Sequence, residues 1–155
     1  FYRDRPLWRK RLGEAFDRLR AESSVDAGRT AAVGYCFGGS SVLELARTGA
    51  AVDAVVSFHG GLSTGPAGEA ERITAKLLVL HGAADPVAPD DAMIAFENDL
   101  RTAPAVDWQL VSYANAMHAF TLPDADAPEQ GAQFQATAER RSWTAMKTFL
   151  AEVLG

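Results

Sequence analysis

One cysteine, Cys36, stands in 155 residues, so the chain can form no internal disulfide and no zinc site built on several thiolates. Such sparing use of cysteine fits a reducing compartment, and a cytoplasmic location is the expectation. No uninterrupted apolar run approaches the roughly 20 residues needed to span a bilayer, and the first residues lack the apolar core of a secretion signal. There is no internal repeat and no low-complexity tract. Positive charge is in the minority, with 15 Lys and Arg against 20 Asp and Glu and a net charge of -5. The resulting field repels phosphate backbones and anionic headgroups, so neither nucleic acid nor a membrane is an expected partner.

What is present suffices for one compact unit spanning residues 1–155, since 48% of the residues are apolar. The first twenty residues run against the overall charge, with Arg3, Arg5, Arg9, Lys10, Arg11, Arg18 and Arg20 facing only Asp4, Glu14 and Asp17. These cations interleave with Trp8, Leu12, Ala15, Phe16 and Leu19 at helical spacing. They read as the solvated face of an amphipathic helix over 5 to about 21 rather than as a binding patch.

A polar turn, Ser23 to Gly28, ends that helix. Thr30 to Cys36 is then a short apolar run without a polar face, as in a strand buried on both sides. Glycines follow at once, and Val42 to Arg47 reads as a helix stopped by Gly49. Val52 to Phe58 is a second strand, followed by a Gly-rich loop from His59 to Gly68, and Lys76 to Leu80 is a third. Pro89 and Asp90 offer a helix start before Met93, Phe96 and Leu100, whose spacing marks one buried face. Val106 to Tyr113 is the fourth strand, and Phe134 to Val153 the closing helix. Strands alternating with helices specify an α/β fold with a parallel sheet, in which ligand sites gather beyond the carboxyl ends of the strands. Four strands make a thin sheet, and the chain opens on what reads as a mid-domain helix. Strands preceding residue 1 are therefore expected to be missing, leaving the Thr30 to Cys36 strand as an apolar edge that a second copy or another chain should cover.

The strongest chemical signal is Gly34-Tyr35-Cys36-Phe37-Gly38-Gly39, set between the best strand and a helix. It matches the nucleophile elbow G-x-S-x-G with sulfur replacing oxygen. The nucleophile must protrude from a sharp turn, and small residues two positions to either side let strand and helix pass closely. The Phe37 backbone N–H then faces a reacting carbonyl oxygen near the positive end of the helix. The competing reading is a buried cysteine in a glycine-rich packing turn.

A free thiol is only a few per cent ionised at neutral pH, so Cys36 needs a base. His59 and His81 each follow a strand and precede a glycine, where they are expected to shape the strand ends by hydrogen bonding. His118 lies in the loop Asn115-Ala116-Met117-His118-Ala119-Phe120 after the last strand, and it alone fits the order in which the base comes last. The third member should be a carboxylate that holds the imidazole in one tautomer. Asp85, in His81-Gly82-Ala83-Ala84-Asp85-Pro86, lies just after the third strand. Asp90 and Asp91 compete by position but suit the start of a helix better.

These segments resemble the three catalytic segments of the dienelactone hydrolase family, and the likeness extends through Ser57-Phe58-His59-Gly60-Gly61 and Arg140-Arg141-Ser142-Trp143. The resemblance implies an α/β-hydrolase fold whose eight-stranded sheet is represented here by its last four strands. It implies Cys36 as nucleophile, His118 as acid and base, Asp85 as its orienting partner and Phe37 N–H as one oxyanion donor, with no cofactor or metal. The substrate class implied is a small ester or lactone. The family's first oxyanion loop would lie upstream of residue 1. Dienelactone hydrolases proper recognise a substrate carboxylate with arginines, one shortly after the histidine, where this chain has Thr121-Leu122-Pro123 and no arginine. Two other readings compete: an incomplete hydrolase acting as an assembly partner, and a thiol redox sensor, the latter weakened by the lack of a second cysteine.

Overall fold

The computed structural model describes residues 4–155. Helix α1, Arg5–Arg20, begins where Asp4 accepts the Leu7 N–H at 3.0 Å and Pro6 occupies the first turn, and it ends with Arg18 and Arg20 near the negative end of its dipole. Strand β1, Ala31–Tyr35, passes through Cys36 directly into helix α2, Phe37–Arg47. Strand β2, Ala54–Phe58, strand β3, Lys76–Gly82, helix α3, Asp90–Arg101, and strand β4, Trp108–Tyr113, follow in order. Two short strands, β5, Asp126–Ala127, and β6, Ala132–Gln133, form a small antiparallel hairpin before helix α4, Ala136–Leu154.

The four long strands form one parallel sheet in the order β1-β2-β3-β4. The pleat divides the core cleanly. Val55, Leu77 and Val79 face a layer built by Phe16, Leu43, Leu45, Phe96 and Leu100 from the first three helices. Ala54, Val56, Phe58, Leu78 and Leu80 face Phe120, Met146 and Phe149 on the side of α4. β2 is buried at every position and β3 at all but its first, which is why their sequences carry no polar alternation.

Three expectations are revised. α2 begins at Phe37, five residues before the expected Val42, because Gly38, Gly39, Ser40 and Ser41 are drawn into the helix by its burial against the sheet in spite of their weak propensity. β1 is not buried on both sides: as the sheet edge it leaves Val33 and Tyr35 about two-fifths exposed, at 40% and 39%. The amino-terminal cations do not form a uniformly solvated face. Lys10, Arg11 and Arg18 are exposed, but Arg5 and Arg9 converge on Glu44, itself 3% exposed, at 2.6 and 2.7 Å, and Arg9 also pairs with Glu69 at 2.5 Å. A carboxylate buried on α2 requires cations from the helix packed over it. Arg3 lies outside the described residues.

Candidate active site

The elbow is forced by sterics. A Cβ on Gly34 would lie 2.0 Å from the Gly38 carbonyl oxygen, so the last turn of β1 tolerates no side chain. Gly38 is different: a Cβ there meets nothing within 4 Å. The close approach expected on both sides of Cys36 is therefore required at Gly34, and on the helix side it falls one residue later. A Cβ at Gly39 would sit 2.8 Å from Ser57 Oγ and 2.9 Å from the Phe58 oxygen. Cys36 itself takes φ 53° and ψ -118°, a region costly for any residue with a side chain, and presents an exposed thiol beyond the end of the strand.

Two loops converge on that sulfur. The turn after β3 carries Asp85, 3% exposed, whose Oδ1 accepts the Val87 N–H at 2.8 Å. The loop after β4 carries His118, whose backbone is pinned by the hairpin: its N–H donates to the Gly131 oxygen and its oxygen accepts from Gln133. The loops are tied together by the Ala84 N–H donating to the Ala116 oxygen at 2.9 Å. As a result Cys36 Sγ lies 3.0 Å from His118 Nε2, and His118 Nδ1 lies 2.9 Å from Asp85 Oδ2. The sequence order thus becomes one continuous line of three side chains. The Asp85 hydrogen bond, which outweighs the opposing effect of burial, raises His118 to about 9. Asp90 and Asp91 sit in the first turn of α3, where Asp91 accepts the Ala92 N–H, and take no part in that line.

His59 contributes more than the sequence suggested. It is 1% exposed, with φ 37°, and its Nδ1 accepts the Cys36 N–H at 3.2 Å, so the ring proton sits on Nε2, which donates to Thr121 Oγ1 at 2.8 Å. Burial first, and then the neighbouring His118, lower it to about 4, which keeps this acceptor neutral. Its ring meets that of His118 edge-on at 5.2 Å. His81, also buried and lowered by that burial, finds no partner for Nδ1 among the described residues. The expected hydrogen-bonding role at the strand end therefore holds for His59 and has no support at the Nδ1 of His81. Nothing in the sequence signals the His59 link, because Cys36 and His59 come together only when β1 pairs with β2.

Phe37 opens α2 directly after the thiol, with its ring stacked on Trp8 at 5.1 Å. Among the described residues no group of three or more His, Cys, Asp or Glu side chains is placed to hold a metal ion, and no helix is long and apolar enough to cross a membrane.

The dienelactone hydrolase family model matches residues 6–154. A dienelactone hydrolase-like promiscuous phosphotriesterase from metagenomic libraries is 47% identical, with a TM-score of 0.93 over 100% of this chain and 65% of its own. A structure named m3DLH is 44% identical, with a TM-score of 0.93 over 99% of this chain and 64% of its own. The chain thus spans just under two thirds of these solved relatives. A Caenorhabditis elegans protein is 35% identical over 150 residues, covering 92% of this chain and 91% of that protein. An α/β-hydrolase from a Medee basin deep-sea metagenome, 16% identical, shares the fold with a TM-score of 0.71. With a parallel sheet flanked by helices and a family match over nearly its whole length, the chain belongs to the dienelactone hydrolase family and has the α/β-hydrolase fold.

Proposed function

We propose that the chain hydrolyses small carboxylic esters or lactones, with Cys36 as nucleophile, His118 as general base and acid, and Asp85 holding the imidazole. The observation that carries this reading is the unbroken contact line at 3.0 and 2.9 Å from Sγ through His118 to Asp85. Asp85 accepts from Nδ1, which leaves Nε2 to exchange a proton with sulfur. Before attack the Cys36 proton already stands on His118 Nε2, as the raised His118 favours, and in the first half-reaction the sulfur anion bonds to the carbonyl carbon. Negative charge gathers on the carbonyl oxygen, toward which the Phe37 N–H at the head of α2 is the donor. The C–O bond then breaks and the alkoxide leaves with the proton from His118. In the second half-reaction water gives a proton to His118 and attacks the thioester, and the carboxylic acid leaves as sulfur recovers its proton.

The phosphotriesterase activity named for the relative at 47% identity favours a second substrate class, neutral phosphotriesters, attacked at phosphorus by the same sulfur. The experiment is hydrolysis of 4-nitrophenyl butyrate and of a dialkyl 4-nitrophenyl phosphate by the chain and by its Cys36→Ala and His118→Ala variants. Turnover that vanishes without the thiol and falls by orders of magnitude without the imidazole supports the reading. Equal inactivity of all three proteins would instead favour an incomplete hydrolase that needs another segment or chain beside β1.

A further inference from the structure

His59 stands between the two segments that the proposed reaction needs at a fixed separation. On one side its Nδ1 accepts the Cys36 N–H at 3.2 Å, a hydrogen shared with the Phe58 oxygen at 3.0 Å. On the other its Nε2 donates at 2.8 Å to Thr121 Oγ1, farther along the loop that carries His118. The ring is wedged sideways as well, meeting His118 and Phe120 edge-on, each at 5.2 Å. Only 1% of the residue is exposed, so a nitrogen that loses its protein partner has no bulk water to turn to.

We propose that His59 and Thr121 are positioning residues: the neutral ring is a strut between the elbow and the His118 loop, and it fixes the separation, 3.0 Å, across which Cys36 Sγ and His118 Nε2 exchange a proton. The purpose of the strut rests on the hydrolytic reading of Cys36. Any apolar ring could fill the space, but here both nitrogens are engaged, and only one tautomer serves. Nδ1 must be bare to accept, and Nε2 must carry the hydrogen to donate. Thr121, as the acceptor, selects that tautomer and so acts on the reacting pair through His59. The ionisable groups facing the ring are Cys36 from the elbow, Tyr35 from β1, His118 from the loop after β4 and Asp85 from the turn after β3. A proton on Nδ1 would oppose the Cys36 N–H and set a cation beside His118. Asp85 favours that proton, but burial first, and then His118, outweigh it. Loosening the strut lets the elbow and the loop drift apart and weakens the Cys36 contact, one of the causes that raise His118.

The test reads the pair itself and needs no turnover. In native protein, nitrogen NMR of His59 should report a neutral ring with its hydrogen on Nε2 at neutral pH; a hydrogen on Nδ1, or a charged ring, would overturn the strut. Thr121→Val keeps the shape of the side chain and removes the acceptor. It should lower the His118 titration from about 9 by about half a pH unit, and kcat about two- to threefold with KM little changed. Thr121→Ser, which keeps the hydroxyl, should leave both at native values. His59→Leu should match Thr121→Val, and the two substitutions together should do no more than either alone, because they break one strut. An unmoved His118 titration in Thr121→Val, whatever its thermal melt, a serine variant that behaves like valine, or additive losses in the double variant would each refute the proposal. Ester turnover indifferent to Cys36 would refute the hydrolytic reading and leave the two NMR measurements to judge the strut.

Discussion

Replacing Asp85 by Asn exchanges one carboxylate oxygen for an NH2 group, and the geometry limits what that group can do. Asp85 accepts twice, from Val87 N–H through Oδ1 at 2.8 Å and from His118 through Oδ2 at 2.9 Å, and it is almost wholly buried. An amide has one acceptor oxygen. If the oxygen stays on Val87, the NH2 faces His118 Nδ1, and the imidazole must carry its proton on Nε2, where it cannot take one from sulfur. If the amide flips, the correct tautomer is restored but NH2 opposes the Val87 N–H, at about 1–3 kcal/mol for a buried donor left unsatisfied. The second route is the less costly for catalysis, so turnover at neutral pH should fall about 10- to 100-fold, less than the loss expected for Cys36→Ala. The variant also loses the largest contribution to the raised His118. Its titration, followed by imidazole NMR, should drop from about 9 toward the ordinary histidine range. A raised folded pKa contributes stability that is full below the unfolded value and lost as pH rises through about 9. At neutral pH the contribution is about 2–3 kcal/mol, so urea midpoints of native and variant should converge between pH 7 and pH 10. A variant with native turnover and an unmoved His118 titration would refute the reasoning and return Asp90 or Asp91 to consideration.

Gly34→Ala should lose the elbow and at least about 3 kcal/mol of stability, while Gly38→Ala, whose new methyl meets nothing, should fold as the native chain does; thermal melts of the pair check this. His59→Leu removes the longer of the two hydrogen bonds from the Cys36 N–H, leaving the Phe58 oxygen at 3.0 Å, and should lower kcat only about two- to threefold with KM little changed, as steady-state kinetics would show. Because the folded His59 is lowered to about 4, its contribution to stability is full above the unfolded histidine value and declines as pH falls toward 4, and the acid side of the stability profile should flatten in the Leu variant. Arg9→Ala leaves Arg5 as the ion-pair partner of both Glu44 and Glu69, with Arg47 acting on Glu69 from farther away, and should cost about 2 kcal/mol, read from the urea midpoint.

The strands and the site were legible to different degrees, for physical reasons. β2 and β3 are buried on both faces, so their uninterrupted apolar runs marked them, and the elbow was readable because its turn demands glycine at position 34. The order of Cys36, Asp85 and His118 followed from the parallel topology, which delivers successive strand ends to one edge of the sheet. The start of α2 was hidden because Gly38, Gly39, Ser40 and Ser41 are weak helix formers held by tertiary burial. The β5-β6 hairpin went unseen because two-residue strands have no period, although it fixes the backbone of His118. Glu44 reads as an ordinary helix-surface residue, and only the packing of α1 over α2 shows that Arg5 and Arg9 are its counter-ions.

Cys36, His59, Asn115 and Ala119 all hold positive φ without being glycine, and each lies in the elbow or in a loop reaching it. Such backbone costs of order 1–3 kcal/mol per residue in the least favourable cases. The chain therefore carries conformational strain concentrated at the candidate site, while the rest of the sheet relaxes into ordinary geometry. Glycine at position 36 would relieve the strain and erase the thiol together, giving a sturdier protein that, on the proposed mechanism, is inert. If Cys36 is the nucleophile proposed above, activity and stability pull this one backbone position in opposite directions.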